Sequence, residues 1–240
     1  MGVTFATQQG PRAYQEDRVY YHDAVIEKWK LLAVMDGHNG AGVSDFCARN
    51  LHKYFPAENV DLEEKLRLLA LNLNQATRRL TAGSTLSAVI IPYDKSVVSV
   101  AILGDSPVIV LDEGGKIHVS PEHNVRTNIK ERKAAESRGG YYDSSGYICF
   151  GDHAIQLSRA LGDSDFGDVL LREPEIYTVN NPVWVLIASD GLLDPGHKNM
   201  KKLLKDIEKL ARDNANADTL IAWAEKRGLE DNATAIVWGK

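Results

Sequence analysis

The sequence predicts an α+β domain in which antiparallel sheets carry helices on their outer faces. Three observations lead there. Apolar segments of strand length recur from one end of the chain to the other, and longer segments repeat their apolar residues at helical spacing. The two kinds come in blocks rather than in strict alternation, which points away from a parallel βαβ sheet. A chain of 240 residues can bury a sizeable core and fits one domain over 1–240. With 44% hydrophobic and 25% charged residues, its composition is that of a folded globular chain.

The elements follow in order. Val3–Thr7 and Val19–His22 are short β segments, and Lys30–Met35 is a nearly continuous apolar strand ending at Asp36-Gly37. A helix is expected over Gly42–Tyr54. A second starts at the N-cap Asp61 and carries Leu62, Leu66, Leu69, Leu73, Ala76 and Leu80 on one face, with Gly83 as its stop. Ser84–Ile91, Ser96–Leu103 and Val108–Leu111 read as three strands, separated by turns at Pro92–Lys95 and Gly104–Pro107. Asp112-Glu113-Gly114-Gly115 is a further hairpin signal. Residues 120–157 are polar and are expected to form an irregular flap, with one helix near Asn128–Ser137. Val183–Ala188 is a buried strand ending at Ser189-Asp190-Gly191. Helices near Lys198–Arg212 and Ala217–Lys226 and a strand at Ala233–Trp238 close the chain.

Composition also narrows the function. A net charge of −5 with no Lys/Arg block gives no footprint for nucleic acid. The longest apolar run, Val183–Ala188, is too short to span a membrane, and the N-terminus lacks the pattern of a signal peptide. Cys47 and Cys149 form no C-x-x-C motif, so a thiolate zinc site is excluded and two free thiols in a reducing compartment are expected. The expectation is a cytoplasmic monomer. Asn232-Ala233-Thr234 matches a glycosylation sequon, but it falls in a strand expected to be buried.

The informative pattern is an acid at the end of an apolar strand, usually beside glycine. Asp36 follows Leu31–Met35, Asp105 follows Val97–Gly104, and Asp190 follows Val183–Ser189. Asp231 comes just before Ala233–Trp238, and Glu16-Asp17 just before Val19–Tyr21. Any one of these alone is more often a turn residue or a solvated charge, since Asp-Gly pairs form turns readily. Together they read differently. Acids converging at a sheet rim repel one another and are costly to desolvate, and a cation removes both penalties. Oxygen-only donors suit hard ions such as Mg²⁺ or Mn²⁺.

The flanking residues resemble the signature motifs of the type 2C (metal-dependent) protein serine/threonine phosphatases, in order along nearly the whole chain. Arg12–Asp17 resembles Arg-x-x-x-Glu-Asp, and Asp36–Gly40 resembles Asp-Gly-His-Gly-Gly. Gly83-Ser84-Thr85 and Gly104-Asp105-Ser106 resemble the family's Gly-Ser-Thr and Gly-Asp-Ser. Ser158–Asp163 matches Ser-Arg-x-x-Gly-Asp, Ser189–Asp194 matches Ser-Asp-Gly-x-x-Asp, and Asp231–Thr234 matches Asp-Asn-x-Thr.

The resemblance implies a sandwich of two antiparallel sheets flanked by helices, with a centre for two divalent cations at one edge and phosphorylated proteins as substrates. It implies that Asp36 bridges both cations with the Gly37 carbonyl assisting, that Glu16 binds the second, and that Asp190 and Asp231 bind the first. Asp17 would hold a metal water. Asp105 and Asp194, with Asp190, would bind a third, weaker cation. Arg12 would grip the phosphate, because its fork matches two phosphate oxygens. His38 would protonate the leaving serine or threonine oxygen, a task suited to a group titrating near neutral pH. His38 capping the following helix is the structural alternative. His22, His52, His118, His123, His153 and His197 read as surface or loop residues.

Asn39 replaces a family glycine, Gln15 stands for the usual Asn, Leu193 for a common Trp, and Pro107 for a frequent Arg, which removes a charge and a backbone donor beside Asp105. A pseudophosphatase that only docks a partner is disfavoured because every ligand position holds an acid. A two-metal nuclease is disfavoured because no basic groove is visible. Neither cysteine is followed six residues later by arginine, and no Walker-type Gly-Lys-Ser/Thr exists. Asp163-Ser164-Asp165 has the spacing of an aspartyl-phosphate motif but follows no apolar strand.

Overall fold

Along the strand Trp29–Met35, side chains leave alternately to opposite faces, and both faces are buried. Leu31, Ala33 and Met35 enter a cluster with helical residues, while Leu32 and Val34 enter a second cluster made by strands of both sheets. That double burial is why the strand reads as an unbroken apolar run. The computed structural model describes residues 2–57, 59–193 and 200–239, and the same alternation organises all of it.

Strands are numbered in chain order. One five-stranded antiparallel sheet runs β1 (Val3–Gln8), β16 (Ala233–Gly239), β15 (Pro182–Ala188), β8 (Val108–Asp112) and β9 (Ile117–Val119). The other runs β14 (Glu175–Asn180), β7 (Val97–Leu103), β6 (Leu86–Pro92), β3 (Trp29–Met35) and β2 (Arg18–Ala24). Val34, Val89, Val100, Val110, Ile187 and Ile236 meet between them. Helices α1 (Gly42–Tyr54) and α2 (Leu62–Thr77) cover the outer face of the second sheet. Helices α4 (Met200–Arg212) and α5 (Ala217–Glu225) cover the first, packing on Trp184, Leu186 and Ala188. The architecture is therefore the expected sandwich of two antiparallel sheets with helices outside.

Topology sends the acids to one rim. β3 and β7 are both antiparallel to β6, so they run the same way and end at the same edge. Arg18 at the start of β2 pairs with Met35 at the end of β3, which brings Glu16-Asp17 to that edge. In the facing sheet, Ala188 at the end of β15 pairs with Ala235 near the start of β16.

Several boundaries differ from the sequence reading. The expected strand Ser84–Ile91 is broken at Thr85 into β5 (Gly83–Ser84) and β6, because the Thr85 hydroxyl and amide bond to Asp36 rather than continue the ladder. β5 instead lies between β4 (Gly37–His38) and β13 (Leu161–Gly162) in a small sheet. Helix α2 starts at its Asp61 cap, whose side chain accepts from the Glu64 amide, but ends at Thr77; Leu80 lies beyond it. β14 carried no clear sequence signal. The segment 120–157 is more regular than expected. It holds α3 (Ile129–Ser137) and a three-stranded sheet of β10 (Tyr141–Tyr142), β11 (Ile148–Phe150) and β12 (His153–Ile155), over a small core of Val125, Ala135, Ile148 and Val169.

Candidate metal centre

Asp36 emerges from β3 into a loop held on both sides. Its amide donates to Thr85 Oγ1 at 3.0 Å, and the Thr85 amide donates to the Asp36 carbonyl at 2.9 Å. The next position must be glycine: a Cβ on Gly37 would sit 2.6 Å from Ser44 Oγ and 2.7 Å from the Glu16 carbonyl. Ser44 in α1 donates to that same carbonyl at 2.6 Å, so helix, strand and the Glu16 loop are tied together under the site.

A cavity of about 340 Å³ opens here, with Glu16, Asp36, Asp105, Asp190 and Asp231 on its walls beside Arg12 and His38. The opposite side is Tyr147 and the stretch 154–157, contributed by the flap. Asp17 does not line the cavity; it is buried on the acid side, beside Asp36 and Ser189, and is 4% exposed. The acids feel one another. Burial raises the Asp36 carboxyl well above the usual carboxylate range, and the charges of Asp17, Asp190, Asp105 and Asp231 push it further. Burial also raises Asp17 and Asp105, against opposing hydrogen bonds.

Each acid has a local partner. Glu16 Oε1 accepts from the Gly40 amide at 2.7 Å, and Asp105 Oδ2 accepts from Asn124 Nδ2 at 2.8 Å. Asp231 accepts from the Arg12 guanidinium and, through Oδ1, from the Asn232 amide at 2.7 Å. Asp17 Oδ2 accepts from Ser189 Oγ at 2.7 Å, while its Oδ1 is buried with no partner. Held this way, the side chains do not draw three or more ligands around one point among the described residues. The donor set nevertheless fits hard cations. It is all oxygen, it carries mutual repulsion that a cation relieves, and it leaves one buried carboxylate oxygen unsatisfied. Asp194, the other acid expected at this site, lies outside the described residues.

His38 sits on β4. Its Nε2 lies 2.8 Å from Asp163 Oδ2, and of the two only His38 lines the cavity. It does not cap α1, whose N-cap is Ala41 with no side-chain bond. The sequence reading quoted Asp163 at the end of Ser158–Asp163 without giving it a role, and the structure sets it against His38. His123 corrects the reading of the remaining histidines. It is fully buried, because its Nδ1 accepts the Gly104 amide at 3.1 Å and its own amide donates to the Gly104 carbonyl at 3.0 Å. It thereby clamps the turn that presents Asp105. Asn232 is buried too, its side-chain amide donating to the carbonyls of Gln9 and Tyr14, as expected for a sequon that is fortuitous.

The family model described as protein phosphatase 2C matches residues 1–233. The chain belongs to the protein phosphatase 2C family. Probable protein phosphatase 2C 11 of Arabidopsis thaliana is 26% identical over 97% of this chain, which spans 65% of that relative's length. The protein phosphatase 2C fold is shared with a phosphatase from Toxoplasma gondii, at a TM-score of 0.79 and 19% identity over 98% of this chain and 91% of that one. It is also shared with the catalytic domain of the serine/threonine phosphatase PstP, solved in complex with two manganese ions, at a TM-score of 0.65 and 22% identity over 98% and 96% of the two chains. Protein phosphatase 2C enzymes are metal-dependent protein serine/threonine phosphatases. Among the described residues no helix is long and apolar enough to cross a membrane.

Proposed function

We propose that this chain hydrolyses phosphoserine and phosphothreonine in proteins by means of two divalent cations, Mg²⁺ or Mn²⁺, held at the carboxylate cavity. The observation that carries the reading is the convergence of acids from separate strand ends on Asp36, whose carboxyl is raised by four of them. The two manganese ions of PstP support the same reading. Asp36, Glu16, Asp190 and Asp231 would hold the two cations, with the Gly37 carbonyl assisting. Asp17, buried behind them, would orient a water. Asp105 and Asp190, with Asp194, would hold a weaker third cation.

When bound, the cations supply Lewis acidity that activates water and offsets phosphoryl charge. The protein's own groups do the rest. Arg12, half-exposed at the cavity mouth, exchanges its partner Asp231 for two phosphate oxygens. The Thr85 hydroxyl and amide keep Asp36 from moving under load. His38 gives a proton to the departing serine or threonine oxygen, a poor leaving group without one. Tyr147, Ile155 and Leu157 line the far wall. No observation favours a binding module without chemistry, because the described ligand positions are all acids.

The test is hydrolysis of a phosphothreonine peptide and of p-nitrophenyl phosphate, each with Mn²⁺, with Mg²⁺ and with excess EDTA. Turnover that depends on the cation and vanishes in EDTA is expected. Full activity in chelator, or none with either cation, overturns the reading.

A further inference from the structure

We infer that Asp163 is a positioning residue for the proton donor: it holds His38 by Nε2, leaving Nδ1 as the ring nitrogen that delivers the proton. The inference rests on the phosphatase reading above.

The pair is built into the small sheet. His38 and Gly162 both pair with Gly83, one from each side, so His38 and the residue after Gly162 flank a position with no side chain. A Cβ on Gly83 would lie 2.1 Å from His38 Nε2 and 2.2 Å from Asp163 Oδ2. Only glycine leaves room for the bond between them.

Asp163 is shaped for this contact. Its backbone sits in the left-handed region at φ 47°, which Asp and Asn tolerate better than most residues. Main-chain bonds hold it there. Its amide donates to the Ala82 carbonyl at 3.0 Å, and its carbonyl accepts from the Phe166 amide and from Arg172, both at 3.1 Å. The turn therefore does not need the carboxylate. That carboxylate is 4% exposed and lies against an imidazole that is 29% exposed and lines the cavity, so the charge is buried against that ring. A buried carboxylate is costly unless paired, and here the pairing fixes the ring's orientation.

The proton step balances on these atoms. The Nδ1–H bond of the imidazolium breaks as an O–H bond forms on the leaving oxygen. The electron pair of the P–O bond goes to that oxygen, and the neutral ring keeps its Nε2–H on Asp163.

The experiment compares the parent, Asp163→Asn, His38→Ala and the double variant on a phosphothreonine peptide and on p-nitrophenyl phosphate. Asparagine keeps the size and the left-handed backbone but removes the orienting charge. For Asp163→Asn, kcat on the peptide should fall by about 100-fold, the scale of general acid catalysis, with less than about threefold lost on the aryl phosphate. KM should hold, and the double variant should be no worse than His38→Ala. Equal losses on both substrates, or additive losses, overturn the inference while leaving the phosphatase reading intact.

A second measurement needs no turnover. In ¹⁵N spectra of the Mg²⁺-loaded protein at alkaline pH, His38 should be the Nε2–H tautomer, and Asp163→Asn or Gly83→Ala should mix in the other. An unchanged tautomer in both variants overturns the inference. If the parent hydrolyses neither substrate, the phosphatase reading falls separately, and the spectra alone decide whether Asp163 orients the ring.

Discussion

Ser189 Oγ donates to Asp17 Oδ2 at 2.7 Å and accepts from the Thr234 amide at 2.9 Å. One hydroxyl thus ties the end of β15, the start of β16 and the acid preceding β2, joining the two sheets at the rim where the cavity opens. All three groups are buried. Ser189→Ala should strand the Thr234 amide and take from the Asp17 carboxylate its bond to Oδ2. It should destabilise the metal-free protein by about 2 kcal/mol, the cost of leaving buried polar groups unpaired. Urea unfolding measures this as a lower midpoint with an unchanged slope. A midpoint equal to the parent's would show that this hydroxyl does not join the sheets.

The flap is fastened by a second buried pair. Arg159 donates to both carboxylate oxygens of Glu131, at 2.7 and 3.1 Å, and Ser158 Oγ adds a bond at 2.6 Å. Burial alone would raise the Glu131 carboxyl, but these donors outweigh it and hold it at about 2 rather than the ordinary 4.5. The folded value lies below the unfolded one. The stability it contributes is therefore present in full above pH 4.5 and is lost as pH falls toward 2. Glu131→Gln should flatten the acid side of a stability–pH curve in that window. Arg159→Ala, which leaves the charge buried and alone, should cost about 3 kcal/mol at neutral pH. Identical acid curves for parent and Glu131→Gln would contradict this.

Arg227 clamps the turn that carries Asp190. Its guanidinium stacks 3.5 Å from the Trp223 ring centroid and donates to the Leu192 carbonyl at 2.6 Å, within the 3₁₀ turn Asp190–Leu193. Arg227→Ala should loosen that turn and weaken Mn²⁺ binding about tenfold, the scale seen when support behind a metal ligand is removed. Calorimetric titration would measure it. Arg227→Lys should recover little, because an ammonium does not stack as a planar guanidinium does.

Much of this was legible in the sequence because strands buried on both faces write themselves as unbroken apolar runs. β3, β7 and β15 announced themselves in that way, and each delivered an acid to the rim. That Asp36, Asp105, Asp190 and Asp231 gather on one cavity was legible because strand ends are local signals. What stayed hidden depends on partners distant in the chain. Thr85 breaks a strand because Asp36, 49 residues earlier, takes its hydroxyl. His123 sits among polar residues and reads as a loop histidine, yet it is buried against Gly104. Asp163 lies 125 residues from His38, and only the register of β4, β5 and β13 brings them together. β14 alternates polar and apolar residues at a sheet edge, a weak pattern that β7 completes by pairing with it.

In the proposed reading these acids form one centre for two cations, and Asp36 stands at the middle of it. Asp36→Asn keeps the size of the side chain but removes a carboxyl whose ionisation burial and the neighbouring acids oppose. The decisive measurement is calorimetric titration of Mn²⁺ into the parent and this variant, with thermal melts of the same samples. The parent should bind two Mn²⁺ and gain thermal stability on binding. Asp36→Asn should melt no lower than the parent without metal, because it relieves repulsion, and should lose both bound ions and the metal-induced gain. A variant that binds two Mn²⁺ as tightly as the parent would contradict the account.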